Sequence, residues 1–197
     1  MNIARILYPV RVLGPGERVG IWMCGCDRAC PGCSNPDLWK PRAEYEISVR
    51  NAAAMIGRVR ETRVIDGVTI SGGEPFRQAA ELAELLEALD IEDVLIYTGY
   101  LLEELTAMCD PAVDRVLSKA AVLIDGPYLR EQNDGARLRG SSNQRIHILN
   151  ESLRLRYECY LDAGENQIQN FTTADGVVSV GIHKQDFAEK MRRGLNL

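Results

Sequence analysis

Two apolar periods alternate along the chain. Arg18 to Cys24 (Arg-Val-Gly-Ile-Trp-Met-Cys) is β-rich and predicts a first strand that delivers the following loop to one rim of a sheet. Val49, Ala52, Ala53, Ile56 and Val59 then recur at helical spacing behind Ser48, a suitable N-cap. Val68-Thr69-Ile70 is a short strand broken by Gly72-Gly73, and Ala79, Leu82, Leu85, Leu86 and Leu89 mark one face of a second helix. Val94 to Tyr97 reads as strand and stops at Gly99. Leu101 to Met108 and Pro111 to Leu117 read as helices, the second capped by Asp110 with Pro111 in its first turn. Ala121 to Ile124 predicts a further strand. A polar loop over 131–144 precedes a short one, Arg145 to Leu149.

Strand and helix alternate, and the strands are of buried type, so the pattern is α/β: a parallel sheet covered by crossover helices. Ligands of such sheets sit at the C-terminal ends of the strands. Four polar or glycine-rich breaks fall there: the cysteine loop, Gly72-Gly73-Glu74, Thr98-Gly99 and Asp125-Gly126. Beyond Asn150 the pattern changes. Gln167 to Thr173 and Val177 to Ile182 flank Ala174-Asp175-Gly176, a hairpin signal, and Gln185 to Arg193 predicts a last helix ended by Gly194. The expected organisation is a core over 1–149 and a C-terminal extension over 150–197.

At 197 residues the chain holds roughly one domain plus an appendage, and it is short for a complete eight-fold (β/α) barrel of about 250 residues. A partial barrel fits. Against 28 acidic side chains stand 23 basic ones, a net charge of −5 that leaves no footprint for general nucleic-acid binding. No apolar run approaches the roughly 20 residues of a membrane span, and no secretory signal opens the chain, so the expected location is the cytoplasm. Walker loop, dinucleotide fingerprint and nucleophile elbow are absent. His147 and His183 have no carboxylate or serine at a recognisable spacing and read as packing or surface residues.

Six cysteines change the picture, because Cys24, Cys26, Cys30 and Cys33 fall within ten positions. Thiols this close in a reducing compartment hold a metal rather than one another. Cys109 and Cys159 stand alone and read as small buried residues. Cys26, Cys30 and Cys33 have the spacing C-x3-C-x2-C: three thiolates on one loop occupy three corners of a cubane iron–sulfur cluster and leave the fourth iron open to bind a substrate and pass it an electron. Gly25, Pro31 and Gly32 suit the turns of such a loop. The alternative is a zinc-binding structural module using all four cysteines. It is awkward, because Cys24 lies two residues before Cys26 and points to the opposite side if the strand continues that far.

This spacing resembles the signature of the radical S-adenosylmethionine (SAM) superfamily. Within it the chain resembles the activating enzymes of anaerobic (class III) ribonucleotide reductases, on Gly14-Pro15-Gly16, Cys30-Pro-Gly-Cys33, Asn35, Trp39, Ser71 to Pro75, Tyr97 to Tyr100, Asp125 to Tyr128 and Arg139-Gly-Ser-Ser-Asn-Gln144. These run in order over roughly three quarters of the chain. The resemblance implies a partial, open (β/α) barrel, a [4Fe-4S] cluster on Cys26, Cys30 and Cys33, and SAM bound at Gly72, Gly73 and Glu74, with Glu74 taking its amino group. It also implies reductive cleavage of SAM to a 5′-deoxyadenosyl radical that generates a glycyl radical on a partner enzyme, with a flavodoxin- or ferredoxin-type electron donor. Activation of another glycyl radical enzyme and radical modification of a peptide are the enzymatic alternatives.

Read alone, Gly72-Gly73-Glu74 is as readily a turn with a capping carboxylate. Thr98, Gly99 and Asp125 either line the same pocket, offering groups to ribose, the SAM carboxylate or a cation, or simply cap strand ends. Superfamily members commonly carry an aromatic residue before the third cysteine where this chain has Gly32, so adenine contact falls to another residue such as Trp39, for which a core position is the favoured reading. The role of Arg139 to Gln144 is open between ordering a loop over the pocket and meeting the partner.

Overall fold

The computed structural model describes residues 1–164, 166–173, 176–184 and 187. Six strands form one sheet in simple chain order: β1 (Ile3–Val10), β2 (Arg18–Met23), β3 (Gly67–Gly72), β4 (Val94–Tyr97), β5 (Val122–Asp125) and β6 (Arg145–Ile148). The central four, β2 to β5, are parallel, and the edge strands β1 and β6 are antiparallel. Crossovers run through α1 (Val49–Thr62), α2 (Ala79–Leu89), and α3 (Leu102–Ala107) with α4 (Pro111–Lys119). Right-handed crossovers that always step in the same direction put every helix on the same face of the sheet.

Alternation along the strands records that asymmetry. Val19, Ile21, Met23, Val68, Ile70, Val94, Ile96 and Leu123 face the helices and bury Ile56, Leu82, Leu86, Leu105 and Val116. Trp22, Leu95, Tyr97, Val122 and Ile124 face the other way. That second face is covered by C-terminal elements: α5 (Arg154–Asp162) contributes Tyr157, and the hairpin of β7 (Gln169–Thr173) and β8 (Gly176–Val180) contributes Phe171, Val178 and Val180.

Two expectations are corrected, and one helix is added that the sequence reading does not contain. The strand at Arg18 is the second, because Ile3–Val10 precedes it as an edge; Pro9, which donates no ladder hydrogen bond, masks it in the sequence. Arg154–Asp162 forms a helix that periodicity does not announce, since Tyr157 is buried while Leu155 is 73% exposed. Cys109 and Cys159 are exposed rather than buried. Cys109 sits in the turn after α3 with φ +49, and Cys159 lies two positions past Tyr157, about 200° round the helix and towards solvent. The hairpin forms with 176 as the first residue of its second strand; the predicted helix from Gln185 to Arg193 lies, except for Phe187, outside the described residues. No helix among the described residues is long and apolar enough to cross a membrane.

Candidate functional site

The cysteine loop leaves β2 and is closed at its base by two backbone hydrogen bonds, Gly25 N to Leu38 O and Cys26 N to Trp39 O, both 2.8 Å. Leu38, fully buried in the short helical turn Pro36–Leu38, anchors the return. Cys24 is buried below the loop, where its thiol donates to Lys40 O at 3.1 Å. Cys26, Cys30 and Cys33 are half-buried and line one cavity of 130 Å³ with Gly72, Gly73, Glu74, Thr98 and Gly99. Burial pushes the Cys33 thiol above its ordinary pKa, against the N–H of Asn35, which donates to its sulfur at 3.4 Å.

Gly72 and Gly73 are required by the close approach of two chain segments. A Cβ on Gly72, where φ is +108, would sit 2.3 Å from Met23 O, and one on Gly73 would sit 2.4 Å from Gly25 O. Gly73 N and Glu74 N donate to those same carbonyls at 2.8 Å, so the turn after β3 is laced to the start of the cysteine loop. Glu74, 1% exposed, accepts from Phe76 N at 3.1 Å and Thr98 Oγ1 at 2.9 Å on one oxygen, and from Gly99 N at 2.8 Å on the other. It caps the helical turn Pro75–Gln78 and faces the cavity as well. Burial raises its pKa to about 7 in spite of those three neutral donors.

Asp125 is not brought into this group. Its side chain is fully buried, accepts from Leu102 N at 2.8 Å and from Arg145, and lies 3.0 Å from His147 Nε2. Burial opposes its ionisation, but Arg145, Leu102 and His147 together hold the carboxyl below the ordinary range. The β5 to β6 register, which sets Asp125 opposite Arg145, creates this cluster, so His147 does have a carboxylate neighbour. His183 Nε2 lies 3.0 Å from Ser179 Oγ.

Arg139 to Gln144 orders the loop after β5. Gln144 Nε2 donates to Gly126 O at 2.9 Å, Asn143 Nδ2 to Pro127 O at 2.8 Å, and Leu129 N to Ser141 Oγ at 3.1 Å. Gly126, Tyr128 and Gln144 thereby join the cavity wall. Sequence reasoning missed these two side chains, along with Tyr97 and Arg28. Arg28 is the one cation among the lining residues, stacked over Tyr100 at 4.6 Å and reaching Glu104 at 3.7 Å. A Cβ on Gly99 would lie 3.0 Å from Arg28 Cγ and 3.5 Å from Glu74 Oε2, so cation and carboxylate flank one glycine. Trp39, expected in the core, is half-buried on the cavity wall.

The donor set is informative about what fits here. Among the described residues, no three His, Cys, Asp or Glu side chains converge on a single metal position. Three thiols around one cavity that do not meet at a point suit the wide corners of a multi-iron cluster better than one zinc ion. Tyr97 Oη, also on the wall, is buried without a hydrogen-bond partner among the described residues, as a group that meets a ligand is.

Three thiols spread about one cavity at a strand rim are a donor set suited to a polynuclear iron–sulfur centre. The chain belongs to the 4Fe-4S single cluster domain family, whose model matches residues 12–147. It is 32% identical over 151 residues to the anaerobic ribonucleoside-triphosphate reductase-activating protein of Escherichia coli (strain K12), covering 72% of this chain and 96% of that one. The protein of the same name from Vibrio cholerae serotype O1 is 33% identical over 149 residues (71% and 94%), and that of Enterobacteria phage T4 is 29% identical over 153 (74% and 93%).

Proposed function

We propose that this chain is a radical SAM activase that generates a glycyl radical on a partner, the anaerobic ribonucleotide reductase. The observation that carries the reading is the pairing of three cavity-lining thiols with a buried carboxylate that has no cationic partner among the described residues, since SAM brings an ammonium group to that place. When bound, cluster and SAM supply one-electron chemistry that removes a hydrogen atom from a glycine Cα. Cys26, Cys30 and Cys33 would hold the cluster. Glu74 would accept from the ammonium group, oriented by Thr98 and Gly99, and Arg28 would face the carboxylate of the same zwitterion. Gly72 and Gly73 keep Glu74 beside the loop, and Asp125 acts from a distance by fixing Arg145 and the start of α3. With little acid–base chemistry to perform, the remaining wall orients the ligand and excludes water.

The one-faced sheet of residues 1–149 is on this reading an open segment of a (β/α) barrel, with 150–197 an extension laid over its inner face. The electron donor would be of flavodoxin or ferredoxin type, and the reduced, oxygen-sensitive chemistry belongs in the cytoplasm. The test is anaerobic: reduced holoprotein with SAM is expected to yield 5′-deoxyadenosine and methionine. Cys26→Ala, Cys30→Ala and Cys33→Ala each abolish product and lose iron, whereas Cys24→Ala keeps most of both. A Cys24→Ala protein that folds yet binds no cluster would sink the ligand assignment.

A further inference from the structure

The cofactor cavity does not open directly to solvent on every side. A second cavity of 190 Å³ adjoins it and shares Cys33, Ser71, Tyr97, Tyr128 and Gln144. This one continues past Ser34, Ser179 and His183 into an outer space of 480 Å³ between the cysteine loop and the turn after β8. We propose that the middle cavity is a subsite for an extended, uncharged polypeptide segment of the partner enzyme, and that residues 179–183 form its outer wall. The proposal rests on the activase reading and names how the partner reaches the site.

The lining selects the occupant. The middle cavity is bordered by hydroxyl, amide and apolar groups, with no Lys, Arg, Asp or Glu among its described lining residues. Burial lowers the pKa of His183, the one histidine among the described lining residues, and so favours its neutral ring. A phosphate or carboxylate would enter without a counter-charge, whereas a peptide backbone finds donors, acceptors and apolar surface together. Tyr97 Oη, buried and unpartnered, stands where the two inner cavities meet. A segment threaded past it would reach the thiol loop only if its tip were small, as a glycine is.

The wall is firmly seated. Val180, 3% exposed, packs among Val10, Leu13 and Trp22, while Asn133 Nδ2 donates to His183 O at 2.8 Å and Gln169 Nε2 to Pro9 O at 2.7 Å. It also lies beyond the segment that the family model matches. The family match ends at residue 147, and the Escherichia coli relative is covered over 96% of its length by 72% of this chain. The wall therefore stands outside the matched core and borders the entry route, placed where it can discriminate among partner segments.

The holoprotein with SAM bound is to be titrated anaerobically with a fluorescent synthetic peptide that carries the radical glycine of its own organism's anaerobic ribonucleotide reductase. Ser179→Phe fills the subsite and is expected to weaken peptide binding about tenfold or more, whereas Ser179→Ala changes it by less than about threefold. Equal peptide affinity in wild type and Ser179→Phe overturns the proposal, as does a wild type that binds SAM but no peptide. If Ser179→Phe loses SAM affinity in step, the hairpin is disturbed and crosslinking decides. With Lys184→p-benzoylphenylalanine at the mouth, adducts on the full reductase beside the radical glycine support the wall, and adducts elsewhere or none overturn it. A wild type that fails to bind SAM counts against the activase reading instead.

Discussion

Asp93 and Glu74 are buried carboxylates at opposite ends of the parallel sheet, and they are treated differently. Below the N-terminal ends, Asp93 is 3% exposed and meets Arg18 Nη1 and Nη2 at 3.0 Å each, Arg156 at 3.6 Å and Tyr157 Oη at 2.5 Å. At the C-terminal ends, Glu74 is 1% exposed and meets two backbone N–H groups and a hydroxyl. Desolvation penalises both carboxylates, but only Asp93 has guanidinium groups to offset it. The carboxylate paired with guanidinium groups belongs to the scaffold, tying β2, β4 and α5 together. The one with neutral donors alone keeps a demand for positive charge, which a cationic ligand satisfies and a structural role does not require.

The largest expected effect breaks the scaffold end. Arg18→Met removes the fully buried guanidinium and strands Asp93, so unfolding free energy should fall by about 3–5 kcal/mol in urea titrations. Affinity of the folded protein for SAM should change by less than about twofold, the two rims being independent. A loss of SAM affinity larger than the loss of stability would refute that independence.

At the other rim the outcome should invert. Glu74→Gln keeps an acceptor for Gly99 N and removes the charge, so SAM affinity should drop about 30- to 100-fold by equilibrium dialysis, the value of a charge-assisted hydrogen bond in a dry site. Stability should stay within about 1 kcal/mol of wild type or rise, because a desolvated carboxyl has been replaced by a neutral amide. Wild-type SAM affinity in Glu74→Gln would end the comparison. Between these two in character, though smaller, is Tyr157→Phe, which deletes one donor to Asp93 while both arginines remain. Its expected cost is about 1–3 kcal/mol in the same urea titration, with no change at the thiol rim.

Much of this contrast was legible along the chain, and the rest was hidden for physical reasons. The strands β2 to β5 announce themselves as short continuous apolar runs buried on both faces, and the helices between them by one regular apolar face. The Cys26, Cys30 and Cys33 loop and Gly72-Gly73-Glu74 are contiguous motifs, so spacing alone finds them. Arg18 and Asp93 are 75 residues apart and meet only because β3 pairs between β2 and β4 and the Arg18 side chain reaches across it, which no local pattern encodes. Asp125 looks like Thr98 and Gly99 in the sequence, since all three end strands. The antiparallel return of β6 consumes its carboxylate and leaves the others at the cavity. Arg28 was overlooked because a charged residue inside a polar loop carries no periodic signal; its meaning comes from lying across Gly99 from Glu74.

The smallest effect sharpens the comparison most, because it reads the charge of Glu74 directly. Its pKa is raised from 4.5 to about 7 by burial, so the folded ligand-free protein holds a proton there that the unfolded chain has released. That stabilising contribution is complete below about pH 4.5 and is lost as pH rises through about 7, the folded state binding more protons over that window. Ligand binding runs the other way. An ammonium group is attracted to the ionised form, which is about one tenth populated at pH 6 and nine tenths at pH 8, so SAM affinity should rise about tenfold between those values. In Glu74→Gln both slopes should flatten in that interval. Asp125, held below the ordinary range by Arg145, Leu102 and His147 against the cost of its burial, has already ionised before it begins and contributes nothing to it. A tenfold rise that survived in Glu74→Gln would move the ammonium site to another group and leave Glu74 a cap for the turn that follows it.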